Sequence, residues 1–213
     1  AEWKELPELY RVLLPPAHAA DEESSRRLAF LNIFGGAVYP LLMRAYRNHV
    51  RGTADPEEFA RIAEDLQSLL LRRTVVGVPT EGLVARPCRA GEGGPVELGR
   101  AMSRITPSDE RVRVALKYRD LPHPRVVLGW LAGLDPADEV DVEHIFPAAP
   151  GDGWSGDGRR GWGGYSEDEQ NSHRALAQTL GNLTLLEQSL AERAWDRSFP
   201  DKRDLYRQSA IAV

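Results

Sequence analysis

Residues 140 to 147 read VDVEHIFP and residues 180 to 186 read LGNLTLL, and these two short stretches decide the fold class. Alternating, β-branched residues at 140 to 146 predict a strand that Pro147 stops. After Gly181, NLTLL at 182 to 186 predicts a second strand. Between them, residues 149 to 166 (APGDGWSGDGRRGWGGYS) hold most of the glycine of this half and predict a long loop. A helix at 167–178 closes that loop, and helical patterns at 188–197 and 200–211 follow the second strand.

Upstream the periodicity is helical. Residues 22–51 carry apolar side chains at helix spacing, with Asp21 as N-cap and a break at Gly35, Gly36 and Pro40. Residues 56–74 place Phe59, Ile62, Ala63, Leu66, Leu69 and Leu70 on one face, with Asp55 as cap and Pro56 in the first turn. Helices are expected at 108–119 and 124–133, the second introduced by Pro124 and stopped near Gly133. The Gly- and Pro-rich run 77–95 predicts a loop or short extended pieces, and residues 1–20 read as a connector, which suggests a piece of a longer protein. The expected fold is mainly α with a small two-stranded module, α+β, divided into a helical subdomain at 1–135 and the module at 136–213.

Composition narrows the function classes. With 213 residues, 42% hydrophobic and 28% charged, the chain can bury one core or two small ones. A single cysteine, Cys88, excludes a disulfide framework or a four-cysteine zinc site within the chain and predicts a reducing cytoplasm. No run approaches the roughly 20 apolar residues of a membrane span, and no basic-then-apolar leader opens the sequence. The net charge of −5 argues against a uniformly basic nucleic-acid binder. Its distribution is uneven: residues 1–130 carry 19 Lys and Arg against 17 Asp and Glu, and residues 131–213 carry 8 against 15. Arg100, Arg104, Arg111, Arg113, Lys117, Arg119 and Arg125 form a locally basic stretch suited to a phosphate backbone.

A carboxylate beside a histidine on one strand, a loop, an asparagine opening the next strand and then a helix with further acidic groups is a layout with chemical meaning. Hydrolysis of a phosphodiester at neutral pH needs a base for water, a cation against the charge on the leaving oxygen, and a group that fixes the base. Histidine suits the base because it titrates near the working pH. DVEHIFP at 141–147 resembles the first strand of HNH endonucleases, and LGNLTLL resembles their Asn-bearing second strand. The continuation through Phe199, Lys202, Arg203 and Tyr206 resembles more narrowly the HNH-family domain at the C-terminus of GmrSD-type modification-dependent restriction proteins. LLLRRTVVGVPT at 69–80 is similar to a segment preceding that domain.

The resemblance implies a ββα-metal module and a metal-dependent DNA endonuclease serving bacterial anti-phage defence. His144 would be the general base, Asn182 the residue orienting it or the loop, and Glu143 a ligand of Mg2+ or Mn2+. The family's helix ligand falls on Ala191, which cannot ligate. Asp196, where a second family asparagine falls, takes that role in the preferred alignment, with Glu192, an inactivating substitution or a slipped alignment as alternatives. DNA contacts are expected from Arg159 and Arg160 in the loop and from Lys202 and Arg203. His173 is read as a surface histidine rather than a phosphate contact, and Trp154 and Trp162 as plugs anchoring the loop rather than base-stacking groups. The resemblance further implies an N-terminal nucleotide-hydrolysing sensor of modified DNA as partner; no GxxxxGK[ST] loop occurs here, so sensing would be that partner's task. The competing expectation is a catalytically degenerate module that binds DNA or a partner domain.

Overall fold

Helix α1 (Leu6–Leu13) occupies part of the expected connector, because Leu13 is fully buried and Leu9 and Val12 pack on the same core. The structure, a computed structural model, describes residues 5–14, 18–19, 21–55, 57–80, 83, 85–152, 154–156 and 158–211. It divides into two compact units, 1–108 and 109–213.

In the first unit, Asp21 caps α2 (Glu22–Asn32) by accepting the Ser24 N–H at 2.7 Å. Gly35 then adopts φ +76° with ψ −176°, a backbone state open essentially to glycine alone. The chain bends there by 117° into α3 (Tyr39–Val50). The helix expected at 56–74 is α4 (Glu58–Val76), closed by Gly77 in the left-handed region; Pro56 lies outside the described residues. Leu28, Leu31, Leu42, Leu66, Leu69 and Leu70 meet in the core.

The run 77–95, expected as a loop, instead contributes α5 (Ala85–Glu92), and α6 (Pro95–Ser103) follows. Pro87 and Pro95 fall in first turns, where a missing N–H costs no hydrogen bond. Gly93 and Gly94 merely separate the two helices. No single helix among the described residues is long and apolar enough to cross a membrane.

The second unit begins with α7 (Asp109–Tyr118) and α8 (Pro124–Leu131), helices that the sequence reading grouped with the part ending at 135. They belong here because α8 packs on both strands and α7 on the turn at 180–182. Strand β1 (Val140–His144) pairs antiparallel with β2 (Leu183–Glu187), with His144 opposite Leu183, Glu143 opposite Thr184 and Asp141 opposite Leu186. Directly paired residues share a face, so Glu143 lies with Leu186 and His144 with Leu183 and Leu185. Leu186 packs with Leu190, Ala191 and Ala194 of α10 (Gln188–Ala194) and Leu205 of α11 (Phe199–Tyr206). Between the strands runs the expected long loop and then α9 (Glu167–Leu176), started by a reciprocal capping box of Ser166 and Glu169.

Candidate active site

Asn182 ties the two strand ends together. Its side chain is buried; Oδ1 accepts the Phe146 N–H at 2.8 Å, and Nδ2 donates to the carbonyls of Phe146 at 2.8 Å and Ala177 at 2.9 Å. The Ile145 N–H adds a bond to the Asn182 carbonyl at 2.9 Å. Asparagine is required because one planar group must accept from and donate to the same backbone residue. Asn182→Ala is expected to lower stability by about 2–3 kcal/mol, since the Phe146 amide loses its partner. Urea denaturation of the full chain reads this, and an unchanged midpoint contradicts it.

His144 ends β1, half-buried, with Nε2 3.2 Å from Oε1 of Gln178. With Nε2–H donating to that oxygen, the lone pair of the neutral ring sits on Nδ1. On the opposite face Glu143 points into the helices. Its Oε1 accepts from Lys202 Nζ at 2.5 Å and from the Tyr206 hydroxyl at 3.4 Å. Lys202 is 0% exposed and its ammonium also donates to the His144 carbonyl at 2.7 Å. Burial first and the Glu143 charge second push the Tyr206 phenol well above its ordinary value. Thus α11 holds the backbone of the histidine from behind while its imidazole faces away.

A second histidine secures the strand exit. His173 of α9 lies half-buried, its Nε2 2.7 Å from the Pro147 carbonyl. Its ring packs edge-on to Trp162 at 5.0 Å and Phe146 at 6.0 Å between centroids.

A family model described as "GmrSD restriction endonucleases, C-terminal domain" matches residues 107–213, the span of the second unit. The chain belongs to that family. No curated protein and no solved structure matches it.

Within this GmrSD C-terminal domain, the tryptophans do anchor the loop. Trp154 and Trp162 are buried and 6.1 Å apart, and Trp154 Nε1 donates to the Arg197 carbonyl at 3.1 Å. Gly156 is needed where it is, since a Cβ there would come within 2.8 Å of the Phe146 ring and 2.9 Å of Trp154. Arg160 pairs with Glu169 at 2.8 Å and lies 4.0 Å over the Tyr165 ring. That guanidinium first, then Ser166, brings the Glu169 carboxyl down to about 2. Arg160→Ala is expected to return it toward the ordinary 4.5, read by an NMR pH titration; a value still near 2 contradicts the pairing. Because the folded value lies below the unfolded one, this contribution holds above the unfolded value and is lost as pH falls through the folded value.

The sequence-derived site residues fare differently. His144 and Asn182 meet at the same end of the sheet, joined through residues 145 and 146. Arg159 and Arg203 are exposed, as DNA contacts must be. Lys202 is not on that surface: burial against Glu143 denies it any polynucleotide, correcting its expected DNA contact. Nor do Glu143 and Asp196 form a cation seat. Glu143 is committed to Lys202, Asp196 is exposed in the turn after α10, and Ala191 is buried in an apolar cluster. Among the described residues no three His, Cys, Asp or Glu side chains are grouped to hold a metal. The donor set therefore does not fit the magnesium or manganese that the resemblance implied. His173, read as a surface residue, is a packed strut. Lys202, Leu205 and Tyr206 recur at i, i+3 and i+4 and so share one face of α11.

Proposed function

We propose that this chain is the DNA-cleaving part of a restriction protein and hydrolyses phosphodiester bonds with His144 as general base. The carrying observation is the Asn182 clamp, which fixes the strand exit beside a partly exposed imidazole. Nδ1 of His144 takes a proton from water, the water oxygen bonds to phosphorus, and the ester oxygen leaves and is reprotonated from solvent. Exposed Arg111, Arg113 and Lys117 of α7 and Arg119 just after it lie in the same unit and supply positive charge for a phosphate backbone, as do Arg159 and Arg203. The proposed setting is the cytoplasm, with an N-terminal nucleotide-hydrolysing sensor domain as partner.

Supercoiled plasmid incubated with the chain in magnesium, manganese or chelator tests this. Conversion to open circles or linear DNA is expected. Intact supercoiled plasmid in every condition, also when the chain is joined to a sensor domain, overturns the reading. One observation favours a second reading: Ala191 and the Glu143–Lys202 pair occupy the places of the family's cation ligands. A degenerate module of this kind binds DNA in a salt-sensitive manner and never cuts it.

A further inference from the structure

A cavity of about 680 Å³ opens beside the Asn182 clamp, entirely within the second unit. Its walls are mostly carbon, from Leu116, Leu176, Leu180 and the ring of Phe146. The polar groups in the wall are largely spent: Asn182 makes its three bonds, and the Thr179 hydroxyl donates to the Leu176 carbonyl at 2.8 Å. The charged residues lining it, Arg113 and Lys117 on successive turns of α7, are both positive. Arg113 pairs with Glu110, but both side chains are more than 70% exposed, so the pair is weak and exchanges readily for another anion. An apolar cavity bordered by two cations suits a flat ring attached to a phosphate.

Phe146 forms the boundary of this cavity. It is 38% exposed although its N–H and carbonyl are both fixed by Asn182 and its ring is braced at 5.7 Å by Trp154. Phe146 also lines a second hollow of about 590 Å³, together with Tyr165, Phe199, Pro200 and Arg159. An exposed aromatic ring on a hydrogen-bonded backbone, two residues from the proposed base and lining two hollows that each carry a guanidinium, is arranged to part stacked bases.

We propose that Phe146 is a wedge inserted into the DNA stack and that the cavity behind it receives one extruded nucleobase, whose phosphate binds Arg113 and Lys117. This rests on the DNA-cleavage reading. Extrusion costs less at a mismatched base than at a paired one, so a wedge binds mismatched DNA preferentially.

Fluorescence anisotropy with the full chain and two short duplexes, matched and singly mismatched, tests the proposal in the absence of cleavage. The wild type is expected to favour the mismatch about ten-fold. Phe146→Tyr keeps that ratio, and Phe146→Ala brings it to about one. Leu176→Glu, an exposed change at the cavity wall, also lowers the ratio and serves if Phe146→Ala does not fold. Lys117→Ala weakens binding to both duplexes and reduces the salt slope by about one. Equal wild-type affinity for the two duplexes, or a ratio unaffected by Leu176→Glu, overturns the wedge. Plasmid scission by a wild type without mismatch preference sinks the wedge alone, whereas neither binding nor scission sinks the nuclease reading as well.

Discussion

His144→Ala is expected to lower plasmid scission by about 10²- to 10⁴-fold, the usual contribution of a positioned general base. Among the described residues the imidazole hydrogen-bonds only to the exposed Gln178 amide, so its removal is expected to change folding stability by less than about 1 kcal/mol. The two readouts separate chemistry from structure. A time course of supercoiled plasmid loss gives the rate, and thermal unfolding of the same preparation gives the stability. Gln178→Ala is the companion variant. It leaves the base in place but frees its tautomer and ring angle, and is expected to give an intermediate loss, restored by Gln178→Asn only where the shorter amide still reaches the ring. Scission undiminished in His144→Ala removes the assigned base and with it the proposed mechanism.

Lys202→Met is expected to destabilise the chain by about 3–5 kcal/mol, because it leaves the Glu143 carboxylate buried without its counter-charge. Methionine preserves most of the stem, so the loss reports the ammonium rather than a cavity. Tyr206 still reaches Glu143 at 3.4 Å, a single neutral donor that offsets little of a buried charge. Combining Lys202→Met with Glu143→Gln removes the stranded charge, and the double variant is expected to recover much of the loss. Urea denaturation of the two single variants and the double variant completes the cycle. Lys202→Met with wild-type stability contradicts the buried pair. The same variant also frees the His144 carbonyl, so its scission rate is expected to fall even at temperatures where it remains folded.

The pair explains why the metal ligands named from sequence do not assemble. Glu143 is adjacent to His144 in the chain, and adjacency on a strand sends the two side chains to opposite faces. The face that receives Glu143 is covered by α10 and α11, where a carboxylate is tolerable only with a partner. Lys202 supplies that partner from 59 residues away. Nothing in the local pattern of residues 139 to 147 specifies it.

Several elements were readable because their causes are local. Asp21 caps α2 through a bond to the third residue along. The apolar stripe of α4 and the glycine that ends it lie within one stretch. Strand β1 declares itself by alternation, and the order of EHI, GN and the following helix is consistent with His144 and Asn182 standing at one end of a small sheet. Helices α5 and α6 were missed because proline and glycine were read as breakers, whereas prolines in first turns initiate helices. Helical periodicity does not say which core a face will join, and α7 and α8 pack within the unit that holds the two strands.

By itself, then, the sequence determined the elements whose hydrogen bonds and apolar periodicity close within a few residues, together with the placement of His144 and Asn182 at one end of the small sheet. Only the tertiary structure decided that Lys202 is buried against Glu143, that His173 braces Pro147, and that an exposed Phe146 lines two hollows. The physical reason is range. Backbone conformation follows from neighbours along the chain, but desolvation and charge pairing depend on which distant surfaces pack together, and that packing fixes whether a charged side chain meets water, a phosphate or a buried counter-ion.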